Sequence, residues 1–204
     1  MPMPEIILAS ASPRRAALLT QAGLPFRVVP SSLDENGPWA RAPGEDHEAR
    51  AWHLARAKAQ DVAAMVGRGL VIGADTIVVC GGIAHGKPGD AGQAQDMLLR
   101  LAGRTHQVIT GVAVVEAETG RAEVASAVTA VRMRPFGPAE VAAYIATGEP
   151  LDKAGAYAIQ GRGAFLVEGI EGDYSTVVGL PLPTLARLLR RFGLDVWEAA
   201  RARS

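Results

Sequence analysis

Apolar positions fall along the chain in two kinds of run. Residues 5–9, 25–29 and 70–79 are short, nearly unbroken apolar stretches with the length and β-branched content of buried strands. Residues 45–66 instead place Ala49, Trp52, Leu54, Ala55, Ala59, Val62, Ala63 and Val66 near helical spacing, which predicts a long amphipathic helix. Ser12 followed by Pro13 predicts a helix start, with serine as N-cap and proline in the first turn, and Gly23 marks its end. The Ser-, Asp-, Asn-, Gly- and Pro-containing stretch 30–44 predicts a mobile or site-lining loop.

Farther along, Gly81 and Gly82 predict a two-residue hairpin turn into Ile83 and Ala84, and a helix over 91–101 runs up to Gly103. Residues 106–115 and 122–131 read as strands of an antiparallel hairpin joined through Glu118, Thr119 and Gly120. Gly137 and Pro138 open a helix through Ala146, broken at 147–150, and a glycine-punctuated irregular segment covers 152–163. A strand at 164–170 and a helix at 182–192 follow, the latter with Arg187, Arg190 and Arg191 near its C-terminal end as a solvated face. No repeat, low-complexity tract or long hydrophilic linker interrupts this order. The expectation is an α/β architecture with a mixed sheet, one globular domain over residues 1–204 with room for two lobes.

Composition narrows the chemistry. Twenty-one basic residues balance twenty-one acidic ones, so the chain lacks the positive excess that sequence-tolerant binding to nucleic acid or anionic lipid relies on. Any anion must be gripped locally. The single Cys80 forms no intramolecular disulfide and no thiolate zinc site, which fits a reducing cytosol. Asp75 splits the most apolar stretch well short of a membrane span. Glu5 and the brief run Ile6, Ile7, Leu8 do not make a signal peptide, so no cleavage is expected. Only Lys58, Lys87 and Lys153 are lysine in a chain whose usual cation is arginine. Either chance or a need for a compact, mobile ammonium explains each.

Several constellations could carry chemistry. The run Ala9-Ser10-Ala11-Ser12-Pro13-Arg14-Arg15 leads a strand into a helix start, a setting suited to phosphate. There the dipole disfavours Arg14 and Arg15, and an anion would relieve the conflict; surface arginines are the bland alternative. Gly73-Ala74-Asp75-Thr76 sets a carboxylate inside an apolar strand, where it needs a cation, a metal or several donors, whether for function or as a structural aspartate. Glu35, beside Asp34 in the loop, is a second and weaker candidate acid.

The glycine and lysine spacing from Gly81 to Lys87 imitates a phosphate loop. Pro88 stands where Ser or Thr is required, which excludes that motif but leaves Lys87 as an isolated phosphate-binding ammonium. Gln160 carries the donor and acceptor that reading a base edge requires, or is simply a turn amide. His47, His53, His85 and His106 show no metal-ligand spacing, and no Gly-x-Ser-x-Gly elbow occurs.

Together these blocks resemble the Maf family of nucleoside triphosphate pyrophosphatases over nearly the whole chain. The carrying segments are Leu8 through Arg15, Ala57-Lys58-Ala59, Gly73-Ala74-Asp75-Thr76, Gly86-Lys87-Pro88, Leu151 through Tyr157, Ile159-Gln160-Gly161 and Val178-Gly179-Leu180-Pro181-Leu182. All three lysines fall inside them, which favours function for Lys58 and Lys87 and leaves Lys153 open. Arg14, Thr76 and Gln160 resemble the branch acting on dTTP and UTP, where the 7-methyl-GTP branch typically has Trp, Gln and Glu.

The resemblance implies an elongated α/β fold of two lobes, a central mixed sheet flanked by helices and a cleft between the lobes. It also implies water attack at the α-phosphorus, with release of monophosphate and pyrophosphate and with Mg²⁺ or Mn²⁺ as cofactor. On that basis Asp75 is expected to deprotonate the water directly or through the metal, and Glu35 to help hold the metal with Asp75. Arg15, Lys58 and Lys87 would stabilise the triphosphate, Ser10 and Ser12 would lie in the phosphate cradle, and Arg14, Thr76 and Gln160 would contact the base. A cytoplasmic homodimer, with no stable nucleic-acid binding and no membrane, completes the expectation. Competing classes are a nucleotide sensor or division-regulating interaction protein without catalysis, and a pyrophosphatase for a methylated nucleotide.

Overall fold

The computed structural model describes residues 4–34 and 46–201. Its strands are β1 (Ile6–Leu8), β2 (Arg27–Val28), β3 (Leu70–Cys80), β4 (Ile83–His85), β5 (Thr105–Glu116), β6 (Ala122–Met133) and β7 (Val167–Glu171). Its helices are α1 (Pro13–Gln21), α2 (His47–Val66), α3 (Ala91–Leu101), α4 (Pro138–Ile145), α5 (Tyr174–Val178), α6 (Leu182–Arg191) and α7 (Val196–Arg201). The strands form one mixed sheet ordered β2-β1-β3-β5-β6-β7, with β4 paired to β3. β1 runs parallel to both β2 and β3, whereas β4 and β7 pair antiparallel with β3 and β6. The mixed α/β class expected from the pattern is the one observed.

Local chemistry sets the ends of the elements. Asp46 caps α2 by accepting from the Ala49 amide at 2.6 Å, and Gly67 stops the helix in the left-handed region at φ 71°. Asp90 caps α3 in the same manner. Positive φ at Gly81 and Gly82 makes the tight β3–β4 turn.

The chain divides into two compact units, each described by itself. The first comprises Met1–Asp75, Thr110–Ala127 and Gly179–Ser204. Its core packs Ala55, Ala59, Val62 and Ala63 of α2 against Ile7 and Val71 of the parallel strands and against Ala113 and Val115 of β5. Two glycines allow an unusually close approach. A Cβ on Gly73 would lie 2.1 Å from the Ala55 carbonyl oxygen, and one on Gly111 would lie 2.4 Å from that of Ala51. The backbone of α2 therefore rests directly on β3 and β5.

The second unit comprises Thr76–Ile109 and Val128–Val178. Its core gathers Val78, Leu98, Leu101, Val108, Val131 and Met133, with Tyr144, Tyr157 and Leu166 closing over them.

Three expectations need correction. The strand placed at 164–170 starts later, because Gly161–Leu166 winds into a 3₁₀ turn and β7 begins at Val167. The short helices α5 and α7 were not expected, since five and six residues cannot display a helical period. Ser12 occupies the N-cap position of α1, but its side chain makes no cap hydrogen bond. Among the described residues no helix is long and apolar enough to cross a membrane.

Candidate functional site

Asp75 sits at the end of the first unit's part of β3. Val71 belongs to the core facing α2, Gly73 meets α2 directly, and two-residue periodicity puts Asp75 on the same face. On the facing helix, Lys58 donates from Nζ to Asp75 Oδ1 at 2.7 Å. The side chains are only 7% and 13% exposed, so the strand carboxylate has found the cation that its burial demands.

Ser10 follows β1, whose register pairs Leu8 with Ile72. The Ala9 amide still donates to the Ile72 carbonyl at 2.8 Å, one residue before Ser10. The Ser10 hydroxyl is buried and accepts from the Ser12 amide at 3.2 Å and from Arg15 Nη1 at 3.1 Å. Arg15 is fixed from its other side, because Nε donates to the Gly179 carbonyl at 2.7 Å. One guanidinium thus spans the strand–helix junction and the turn ahead of α6, a two-direction hold that the planar fork suits and an ammonium would not reproduce. Arg14 lies half-buried on the same first turn of α1.

One turn beyond Lys58 on α2, Asp61 accepts from the Ser31 hydroxyl at 2.7 Å and the Ser32 amide at 2.9 Å. The Ser31 hydroxyl, with the Ser32 amide, holds this carboxyl below the usual range against the opposing effect of burial. The segment entering the predicted loop is tied to α2 by these bonds. Glu35 itself lies outside the described residues.

The remaining candidates belong to the second unit. Thr76 is half-buried on β3, in alternation with Val78. Against Val78 sits the turn at Gly155, where φ is 70° and any Cβ would come within 2.9 Å of the valine. The Gly155 amide donates to the Gly86 carbonyl at 3.0 Å, joining that turn to the segment bearing the exposed Lys87. Lys153 donates to the Glu149 carbonyl at 2.5 Å and to the Asp152 carboxylate at 2.6 Å, which gives the third lysine a place in holding the turn. Gln160 is half-buried between Ala158 and the 3₁₀ turn of Gly161–Leu166.

Also in this unit, the buried His106 Nε2 lies 2.8 Å from the Tyr157 hydroxyl. Burial, assisted by the field of His85, pushes the imidazole down to about 4, and burial pushes the Tyr157 phenol up. This pair belongs to the core.

The family model described as Maf-like protein matches residues 5–192. The chain belongs to the Maf-like protein family. Among curated relatives, the dTTP/UTP pyrophosphatase of Moorella thermoacetica is 55% identical, with 96% of this chain and 98% of that protein aligned. Proteins of the same name from Pelotomaculum thermopropionicum and Geotalea uraniireducens are 48% and 52% identical, covering 95% and 92% of this chain and 100% and 95% of theirs.

Within this Maf-like chain the structure thus pairs Lys58 with Asp75 and Ser10 with Arg15 in the first unit, and it carries Thr76, Lys87 and Gln160 in the second. Two supporting residues escaped sequence reasoning. Gly73 admits α2, and Gly179 turns its carbonyl to Arg15; both lay inside noticed motifs, but nothing in one dimension says which backbone atom meets which side chain.

Proposed function

We propose that this chain is a nucleoside triphosphate pyrophosphatase that hydrolyses dTTP and UTP to the monophosphate and pyrophosphate. The observation that carries the reading is the buried Lys58–Asp75 pair, in the same unit as the Ser10–Arg15 cradle: a carboxylate adds nothing to simple phosphate binding but can take a proton from water. The names of the relatives at 48–55% identity support the substrate.

In the resting protein Lys58 holds the Asp75 carboxylate in one orientation. An arriving triphosphate competes for the ammonium, and the released carboxylate accepts a proton as a water oxygen attacks the α-phosphorus. The bond from that phosphorus to the bridging oxygen breaks, and pyrophosphate departs with its electron pair. Arg15, Lys58 and the exposed Lys87 offset the negative charge, while Ser10, with Ser12 beside it, lines the cradle. Arg14, Thr76 and Gln160 read the carbonyl-rich edge of uracil or thymine, where an unpaired hydrogen-bonding group penalises the wrong base.

A divalent cation fits the donor set in one form. Among the described residues there is no group of three or more His, Cys, Asp or Glu that could hold a metal. Asp75 and, outside the described residues, Glu35 would offer the hard carboxylate oxygens that suit Mg²⁺ or Mn²⁺. When bound, such an ion supplies Lewis-acid neutralisation of phosphate charge. Cytoplasmic location and assembly as a homodimer belong to the same reading.

The test is a panel of triphosphates incubated with purified protein and Mg²⁺ or Mn²⁺, with monophosphate, diphosphate, phosphate and pyrophosphate resolved. Pyrophosphate from dTTP and UTP, abolished by chelation, is expected. Binding without turnover would favour a nucleotide sensor, and turnover only of a methylated nucleotide would move the substrate.

A further inference from the structure

Gln160 lies in a short loop whose two flanks are held by one hydrogen-bonded pair, Glu149 and Tyr144. Glu149 Oε1 accepts from the Gly163 amide at 2.9 Å, and Oε2 accepts from the Arg162 amide at 3.1 Å. The Tyr144 hydroxyl donates to Glu149 Oε1 at 2.9 Å and receives the Ala158 amide at 3.3 Å. Backbone on both sides of Gln160 is therefore tied to the linked pair, to the phenol two residues before it and to the carboxylate two and three residues after.

The fit is tight. Gly161 has φ +64°, and a Cβ there would stand 2.8 Å from Glu149 Oε2; one on Gly163 would stand 2.5 Å from the Tyr144 hydroxyl. The loop is wrapped onto the carboxylate with no space for side chains between. Tyr144 is itself 6% exposed and packed in the second unit's core, so the anchor is fixed to rigid structure. Burial alone would raise the Glu149 pKa, but the amides of Gly163 and Arg162 and the Tyr144 hydroxyl hold it below the ordinary glutamate range. At neutral pH the anchor is an anion with three donors upon it.

We propose that Glu149, locked by Tyr144, is the positioning residue that holds the Gln160 amide in register with the base, so that discrimination among pyrimidine triphosphates is set one layer behind the residue that makes the contact. This rests on the assignment of Gln160 as a base reader. The physical reason is that an amide discriminates uracil from cytosine only while its donor and acceptor are held in place. A Gln160 backbone free to shift would carry the side-chain amide off the base edge it reads, weakening its hydrogen bonds to uracil and with them the discrimination against cytosine.

The experiment compares kcat/KM for UTP and CTP in the native protein, Glu149→Gln, Tyr144→Phe, Gln160→Ala and the Glu149→Gln/Gln160→Ala double variant, with amide hydrogen exchange at Arg162 and Gly163 as a second readout. Glu149→Gln preserves shape but removes the charge and puts an N–H where acceptors are needed. The UTP/CTP ratio is expected to fall about tenfold, chiefly through UTP, with faster exchange at Arg162 and Gly163. Gln160→Ala should lower the ratio at least as far, and the double variant no further, because both act through one amide. Tyr144→Phe, which keeps the carboxylate, should give a smaller drop and carries the test if Glu149→Gln does not fold.

If Gln160→Ala collapses the ratio while the folded Glu149 and Tyr144 variants retain it, the positioning role is overturned and the base-reading assignment stands. If Gln160→Ala leaves the ratio intact, the assignment itself falls and the proposal with it. Equal losses on UTP and CTP in Glu149→Gln would reduce Glu149 to a structural residue and overturn the proposal.

Discussion

Gly73→Ala tests how the first unit assembles its charge pair. The added methyl would sit 2.1 Å from the Ala55 carbonyl oxygen, 2.9 Å from the Ala59 amide nitrogen and 3.0 Å from the Ala59 methyl. Two of these neighbours are helix backbone, which cannot rotate away. Ordinary contact begins near 3.4 Å, so α2 and β3 must part locally by about 1.3 Å. Carried in full to the 2.7 Å Lys58–Asp75 contact, that displacement gives about 4 Å, beyond hydrogen-bond reach.

At an effective dielectric constant of about 20, the attraction weakens by about 2 kcal/mol. Overpacking costs a further 1–3 kcal/mol or so of stability. A shift of this size near reacting groups lowers turnover by about 10²-fold. Steady-state hydrolysis of UTP, with circular dichroism and a thermal melt to establish that the variant is folded, measures both effects. Folded Gly73→Ala turning over within about threefold of the native protein would refute the claim that close helix–strand approach sets the pair.

Three further outcomes are expected. Asp75→Asn should lower kcat by about 10²- to 10⁴-fold and also destabilise the protein, because Lys58 loses its buried carboxylate partner; near-normal turnover in a rapid-quench assay would remove Asp75 from the role of base. Arg15→Lys cannot keep both the Gly179 and Ser10 contacts, and kcat/KM for UTP should fall about tenfold, an unchanged value showing that the fork geometry is dispensable. His106 is neutral in the fold down to about 4 but titrates near 6.5 when unfolded, so the unfolded chain binds the extra proton between those values. Stability should therefore be undiminished above pH 6.5 and fall by about 3 kcal/mol as the pH drops to 4, visible in denaturant midpoints; the same slope in His106→Gln would exclude this imidazole as its source.

Much of the architecture was legible because its signals are local. The β3 run, the α2 stripe, the Gly81–Gly82 turn and the β5–β6 hairpin each follow from residues within a few positions of one another. The same holds for the proline start of α1, although its serine hydroxyl does not cap it; Ser10, two residues earlier, accepts the Ser12 amide instead. The late start of β7 was hidden because a 3₁₀ turn and a strand can share one apolar composition.

For the site, the sequence by itself determined that Asp75 needed a partner: a carboxylate within an apolar strand is too costly to bury alone. It also singled out the lysines by their rarity. Only the tertiary structure decided that the partner is Lys58, seventeen positions earlier, and that Glu149 lies against the loop of Gln160. The reason is physical: the need for compensation is a property of the residue and its immediate neighbours, but its supply depends on backbone approach at Gly73 and Gly161, a distance that exists only after the chain has folded.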